Sequence, residues 1–123
     1  MSAPRVLVAD DDAMARLGCR ALLEEAGYPV AMAEDGEEAI RLVEKGNVEI
    51  LMLDILMPRK EGLETLMEVK RRFPRVLVVA MSAGSVRGNF DFLGAATRLG
   101  ADRTLPKPFG RQELMTLLRE LRP

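Results

Sequence analysis

The sequence has no histidine, no tryptophan, one cysteine at position 19, and aromatic residues at only 4%. Without an imidazole, the chain supplies no histidine base, no histidine metal ligand and no phosphohistidine of its own. A lone Cys19 excludes an internal disulfide and a multi-cysteine metal site. So few aromatics leave stacking platforms for single-stranded nucleic acid poorly supplied. No apolar run approaches the roughly 20 residues that a bilayer span requires. The opening Met1-Ser2-Ala3-Pro4-Arg5 lacks the basic and apolar segments of a signal peptide, which points to a cytoplasmic protein with no membrane partner. An excess charge is missing too. Eighteen lysines and arginines face 19 aspartates and glutamates, a formal net charge of −1, so no global field draws the chain to nucleic acid.

What is present suits one ordered domain over residues 1–123, with 48% hydrophobic and 30% charged residues. Short continuous apolar runs occur at Val6–Ala9, Val30–Ala33, Ile50–Leu53 and Val76–Met81. Continuity without polar alternation fits strands covered on both faces, as in a parallel sheet. The second run, with two alanines and a methionine, is the weakest by β-propensity. Asp102 to Leu105 reads as a short fifth strand.

Helical spacing fills the intervals. Met14, Leu17, Gly18, Ala21 and Leu22 form one stripe, with Cys19 off it as a small packed or half-exposed hydrophobe. Ala39, Ile40 and Val43 form another, entered by Asp35 with Glu38 three residues later. Leu63, Leu66, Met67 and Lys70 mark a third helix, widened by Val69 and Phe73 and stopped by Pro74. Ser82 to Gly88 reads as a loop. Asn89 to Leu99 reads as a fourth helix with Phe92, Leu93, Ala96 and Leu99 inward. Leu114, Leu117, Leu118 and Leu121 make the last stripe. Gly27, Gly46 and Gly100 follow helical stretches, where a left-handed cap favours glycine. Five β-α repeats predict a doubly wound parallel α/β sheet with right-handed crossovers, whose ligand site lies beyond the carboxyl ends of the strands.

Those ends carry chemistry. The first run leads into Asp10-Asp11-Asp12, the third into Asp54, the fourth into Ser82 and the fifth into Lys107-Pro108. Packed carboxylates repel unless a cation neutralises them, and hard oxygen ligands suit Mg²⁺, or Mn²⁺ in its place. A carboxylate is also a nucleophile for phosphorus, and phosphoryl transfer asks mainly for positioning and charge neutralisation. Taken singly, Asp12 reads as a helix cap, Ser82 as a turn hydroxyl and Lys107 as a surface charge. Asp54, set between Leu53 and Ile55-Leu56-Met57, needs a partner or a function. The coincidence of these groups at four strand ends carries the functional reading.

The residues resemble a response-regulator receiver domain along the whole chain. Arg5 to Asp12 resembles the family's first strand and acidic pair, and Leu51 to Pro58 with Gly62 and Leu63 its phosphoacceptor segment. Ala80-Met81-Ser82-Ala83, Gly100-Ala101-Asp102 and Leu105-Pro106-Lys107-Pro108-Phe109 resemble its remaining signatures. The resemblance implies a flavodoxin-like sheet of five strands in order 2-1-3-4-5 with five helices. It implies that Asp54 accepts a phosphoryl group from a partner histidine kinase or phosphotransferase. Asp11 and Asp54, with the backbone carbonyl of Leu56, would ligate Mg²⁺, and Asp10 would act through metal-bound water. Ser82 and Lys107 would contact phosphoryl oxygens, and Lys107-Pro108 would be a cis peptide. Phosphorylation would draw in Ser82, Ala83 and Gly84 and reshape the docking surface for a downstream protein.

Two departures stand out. The family's switch aromatic, three residues before the lysine, is Thr104 here. The 18 positions from Ser82 to Gly100 are about three more than the family pattern, and the surplus falls around Gly84 and Gly88. Output by loop rearrangement is therefore expected in place of ring rotation, in a stand-alone receiver that is a monomer or weak dimer. An effector following Pro123 stays open. Leu56 and Gly84 flank the family's hydrolytic-water route and push the phosphoryl lifetime in opposite directions. Arg71, Arg72 and Arg75 read as a solvated face. Turnover of an exogenous substrate is not expected, because an aspartate-nucleophile hydrolase would want a carboxylate where Leu56 stands. The alternative reading is a receiver-like scaffold that is never phosphorylated.

Overall fold

A computed structural model describes residues 4–57, 62–83, 86–87 and 90–121. Five parallel strands, β1 (Val6–Ala9), β2 (Val30–Ala33), β3 (Ile50–Asp54), β4 (Leu77–Ser82) and β7 (Arg103–Pro106), lie in the order β2-β1-β3-β4-β7. The helices are α1 (Ala13–Glu25), α2 (Gly36–Glu44), α3 (Gly62–Arg72), α4 (Phe92–Arg98) and α5 (Arg111–Leu121). The doubly wound architecture and the 2-1-3-4-5 order are as expected. Strand alternation sorts the core into two layers. Leu7, Leu51, Leu53 and Val78 pack with residues of α2, α3 and α4, whereas Val8, Met52, Val79 and Met81 pack with α1 and α5. Both faces are covered, so strand side chains are apolar at consecutive positions. The two edge strands are the exceptions: β2 is half-buried over Val30–Met32, in keeping with its weak propensity, and β7 buries only Leu105.

Local chemistry sets the helix ends. The Asp35 side chain accepts from Glu38 N at 2.9 Å, and Glu38 reaches back to accept from Glu34 N at 2.8 Å. One orphan donor of α2 and the amide just before its cap are thereby satisfied. Gly27, Gly46 and Gly100 have φ of +93°, +89° and +110°, as their positions after helices predict.

Three helix readings are corrected. The buried positions of α1 are Cys19 and Leu23, with Leu22 and Ala26 packed beside them, while Met14 and Leu17 stand 77% and 49% exposed. The true stripe is therefore centred on Cys19. Met14, Leu17, Gly18 and Ala21 share the face of α1 turned away from Cys19 and Leu23, so the sheet covers the other face. In the same way Met67 on α3 and Leu99 after α4 face outward, at 51% and 36% exposure. Finally, the segment read as loop and early helix contains a short antiparallel ribbon, β5 (Val86–Arg87) with β6 (Phe90–Asp91). Asp91 caps α4 by accepting from Gly94 N at 2.9 Å, so the helix starts at Phe92 instead of Asn89.

At the amino ends of the strands, Asp102 ties three elements together. Its carboxylate accepts from Val78 N at 2.8 Å and from Lys70 Nζ at 3.0 Å, and Lys70 also donates to Val76 O at 2.9 Å. The carboxylate continues the β4 ladder just before β7 begins. Removing it leaves a half-buried amide without its acceptor, a loss of about 1–3 kcal/mol. Asp102→Ala is expected to unfold at lower urea by that amount, and Asp102→Asn, whose amide oxygen still accepts, by less. Equal midpoints for Asp102→Ala and the parent would refute this clamp.

Candidate functional site

Parallel register builds the site. Ala9 pairs with Leu53, and Asp54 with Met81, so the residues after β1 and at the end of β3 emerge side by side. Ser82 pairs with Pro106, so Lys107 follows at the same edge. Lys107 N also donates to Ser82 O at 2.9 Å, fixing the last loop to the end of β4. The Lys107-Pro108 peptide is cis.

Lys107 Nζ then sits between two carboxylates, 2.6 Å from Asp10 Oδ2 and 3.1 Å from Asp54 Oδ2. Asp10 and Asp54 are 1% and 7% exposed, so neither charge is relieved by bulk water. Asp11 is exposed beside them, and one oxygen from each of Asp10, Asp11 and Asp54 lies within 4.8 Å of the others. Three converging carboxylate oxygens are the donor set of a hard divalent cation. Backbone amides orient both buried carboxylates. Asp12 N donates to Asp10 Oδ1 at 3.0 Å, and Leu56 N donates to Asp54 Oδ1 at 2.8 Å. The Ser82 side chain is buried beside them, and among the described residues its hydroxyl has no hydrogen-bond partner. Asp12 is the cap of α1, accepting from Met14 N at 3.0 Å.

The structure thus brings Asp10, Asp11, Asp54, Leu56, Ser82 and Lys107 to one edge of the sheet. Thr104 is half-buried on β7, and Ala83 is exposed. Gly84, Gly88 and Pro58, singled out in the sequence, lie outside the described residues.

Sequence reasoning missed Arg16, whose Nη1 donates to the main-chain carbonyl of Asp10 at 2.7 Å. A basic residue six positions after Asp10, one turn into the helix, was the available signal. Gly62 was noted only as part of a motif. A Cβ there would stand 2.1 Å from Ile55 Cα, so only glycine lets α3 pack against the segment that follows Asp54. A cleft of about 420 Å³ opens between Asp10 and Lys107 on one side and Cys19, Leu22 and Phe109 on the other. Cys19 lies at its base, 3.9 Å from Met52 Sδ, and burial pushes its thiol up to about 12, so it is inert.

The sequence matches the family model of the response regulator receiver domain over residues 6–119. The chain belongs to that family. It is 35% identical over 117 residues to the response regulator MprA of Mycolicibacterium vanbaalenii, covering 95% of this chain and 49% of that protein. The chain spans about half the length of the curated relatives it matches. Among solved structures, the chemotaxis protein CheY4 of Vibrio cholerae superposes with a TM-score of 0.87 at 24% identity, covering 98% of this chain and 100% of that one, which shows the fold. The receiver domain of the sensor histidine kinase PA1611 from Pseudomonas aeruginosa superposes at 0.86 with 25% identity, covering 97% of each chain. That structure holds a magnesium ion coordinated in its active-site cleft. The receiver domain is a module of two-component signalling. Among the described residues no helix is long and apolar enough to cross a membrane.

The electrostatics of this receiver site have a measurable consequence. Burial pushes the Asp10 carboxyl above its ordinary value of 3.8; hydrogen bonds from Lys107 and Asp12 pull it back, and the Asp54 charge adds to the rise. For Lys107, burial lowers the ammonium, but hydrogen bonds and charges from Asp10 and Asp54 outweigh it and raise it above 10.5. A carboxyl raised in the folded state binds its proton more tightly there, so ionised Asp10 costs stability at neutral pH. Asp10→Asn is expected to raise the Tm of chelator-treated protein by a few degrees at neutral pH. The gain should vanish below pH 3.8, where both states are protonated, and grow as pH rises through the raised value. A gain independent of pH, or none, would contradict the assignment.

Proposed function

We propose that residues 1–123 act as one phosphoacceptor receiver unit, phosphorylated on Asp54 by a partner histidine kinase or histidine phosphotransferase. The observation that carries this reading is the convergence of three carboxylates, two of them held by Lys107, with the partnerless Ser82 hydroxyl at the same sheet edge. A purely structural cluster would not bury two carboxylates against one amine.

In the proposed step an Asp54 carboxylate oxygen forms a bond to phosphorus as the donor's phosphorus–nitrogen bond breaks. The electron pair of that bond returns to the donor imidazole, which takes up a proton. Lys107 changes partner from Asp54 to a phosphoryl oxygen, and Ser82 Oγ–H donates to another. Both contacts neutralise charge on equatorial oxygens, which is most of what this reaction asks of a protein. Asp10, Asp11, Asp54 and the backbone carbonyl of Leu56 would hold Mg²⁺, or Mn²⁺, which when bound neutralises the remaining charge on the phosphoryl group. The donor set fits a hard cation, and the magnesium in the related receiver of PA1611 supports the choice.

Output follows from the same contacts. Ser82 is the last residue of β4 and leads through Ala83 towards the β5–β6 ribbon, and Lys107 N is bonded to its carbonyl. Drawing the hydroxyl towards a phosphoryl group therefore pulls on the ribbon and on the loop after β7 together. Thr104 carries no ring to swing, so the ribbon side of α4 is the moving surface offered to a downstream protein.

Intact-protein mass after incubation with Mg²⁺ and acetyl phosphate tests the reading, beside Asp54→Ala and a chelator control. One added phosphate, absent from both controls, is expected. A folded, Mg²⁺-binding protein that gains no mass and gives no stable complex with beryllofluoride would overturn it in favour of the unphosphorylated scaffold.

A further inference from the structure

The exposed face of α3 carries a pattern that the phosphoryl site does not use. Glu64, Met67 and Arg71 are spaced by three and four residues, which aligns them in one helical stripe, and all three are exposed. Their neighbours are engaged within the chain: Lys70 with Asp102 at 3.0 Å, and Arg72 with Glu68 at 2.8 Å and with Glu44. Among the described residues Glu64 and Arg71 have no ion pair. Across a groove of about 690 Å³, the end of α4 adds Arg98 and the 36%-exposed Leu99. A Cβ on Gly100 would lie 3.4 Å from Lys70 Cγ, so this end of α4 borders the basic half of α3.

The stripe therefore runs from acid through methionine to base. Such a pattern is complementary to itself when reversed. If two α3 helices lie antiparallel about a two-fold axis through Met67, each Glu64 meets the Arg71 of the other copy. The two methionines meet at the centre, flanked by Leu99. This is the isologous arrangement in which one patch serves both subunits. An unrelated partner would need charges placed against this order, whereas a second copy supplies them by symmetry.

We propose that this face, formed by α3 and the end of α4, is a weak self-association surface whose occupant is a second copy of this chain. The apolar centre is small, so the contact belongs to the transient class, with a Kd on the order of 10⁻⁴ M. Charge pairing sets its orientation more than its strength.

Charge reversal tests this with the full chain, because all three positions are exposed and the variants should fold, which circular dichroism checks. In sedimentation velocity up to millimolar concentration, the parent is expected to dimerise, less so at raised salt. Glu64→Arg and Arg71→Glu should each weaken association at least tenfold. The double variant should restore it, and an equimolar mixture of the two single variants should associate although neither does alone. A parent that stays monomeric, a dimer indifferent to both reversals, or single variants that fail to associate on mixing would overturn the proposal.

Discussion

The ammonium of Lys107 between the carboxylates of Asp10 and Asp54 is the contact on which the site depends. Its partners are 97 and 53 residues away in sequence, so it exists only if β1, β3 and β7 end at a common level. Two buried carboxylates so close together would otherwise repel, and the third, Asp11, adds to the charge at the rim. One amine cannot satisfy three carboxylates. The site is thus held together but under-neutralised, a charge state that suits a hard divalent cation. Burial keeps these charges from being screened, so each change of partner has a large effect on its neighbours.

The rest of the fold holds that edge in place. Helix α1 is capped by Asp12 and returns Arg16 to the carbonyl of Asp10, so the loop after β1 is fastened from two directions. Gly62 lets α3 press against the backbone of Ile55, directly behind Asp54. At the far end of the sheet Asp102 locks Lys70 and Val78, an anchor that leaves the carboxyl ends free for chemistry. The carboxyl edge, so fastened, still keeps the buried hydroxyl of Ser82 without a partner among the described residues.

Much of this was legible in the sequence because the signals were local and repeated. Continuous runs such as Ile50–Leu53 announce two-sided burial, and the residue after each run is where a doubly wound fold puts its ligand. The capping pair Asp35–Glu38 and the glycines after helices are short-range chemistry that tertiary packing does not override. What escaped were features decided by long-range geometry. Met14 and Leu17 fit a helical stripe as well as Cys19 and Leu23 do, and only the face that α1 turns towards the sheet decides which is covered. Met67 and Leu99 mislead in the same way. The β5–β6 ribbon is two residues per strand, too short for periodicity to register. Arg16 acts through a backbone carbonyl, which no side-chain motif reveals.

The most direct test of the central interaction compares the thermal stability of the parent and Lys107→Met, each with chelator and with saturating Mg²⁺. If Lys107 is the cation that neutralises Asp10 and Asp54 until a metal shares that task, the variant should melt well below the parent in chelator. Mg²⁺ should close most of the gap. A gap of the same size in both conditions would mean that Lys107 contributes by packing alone, and would contradict the account.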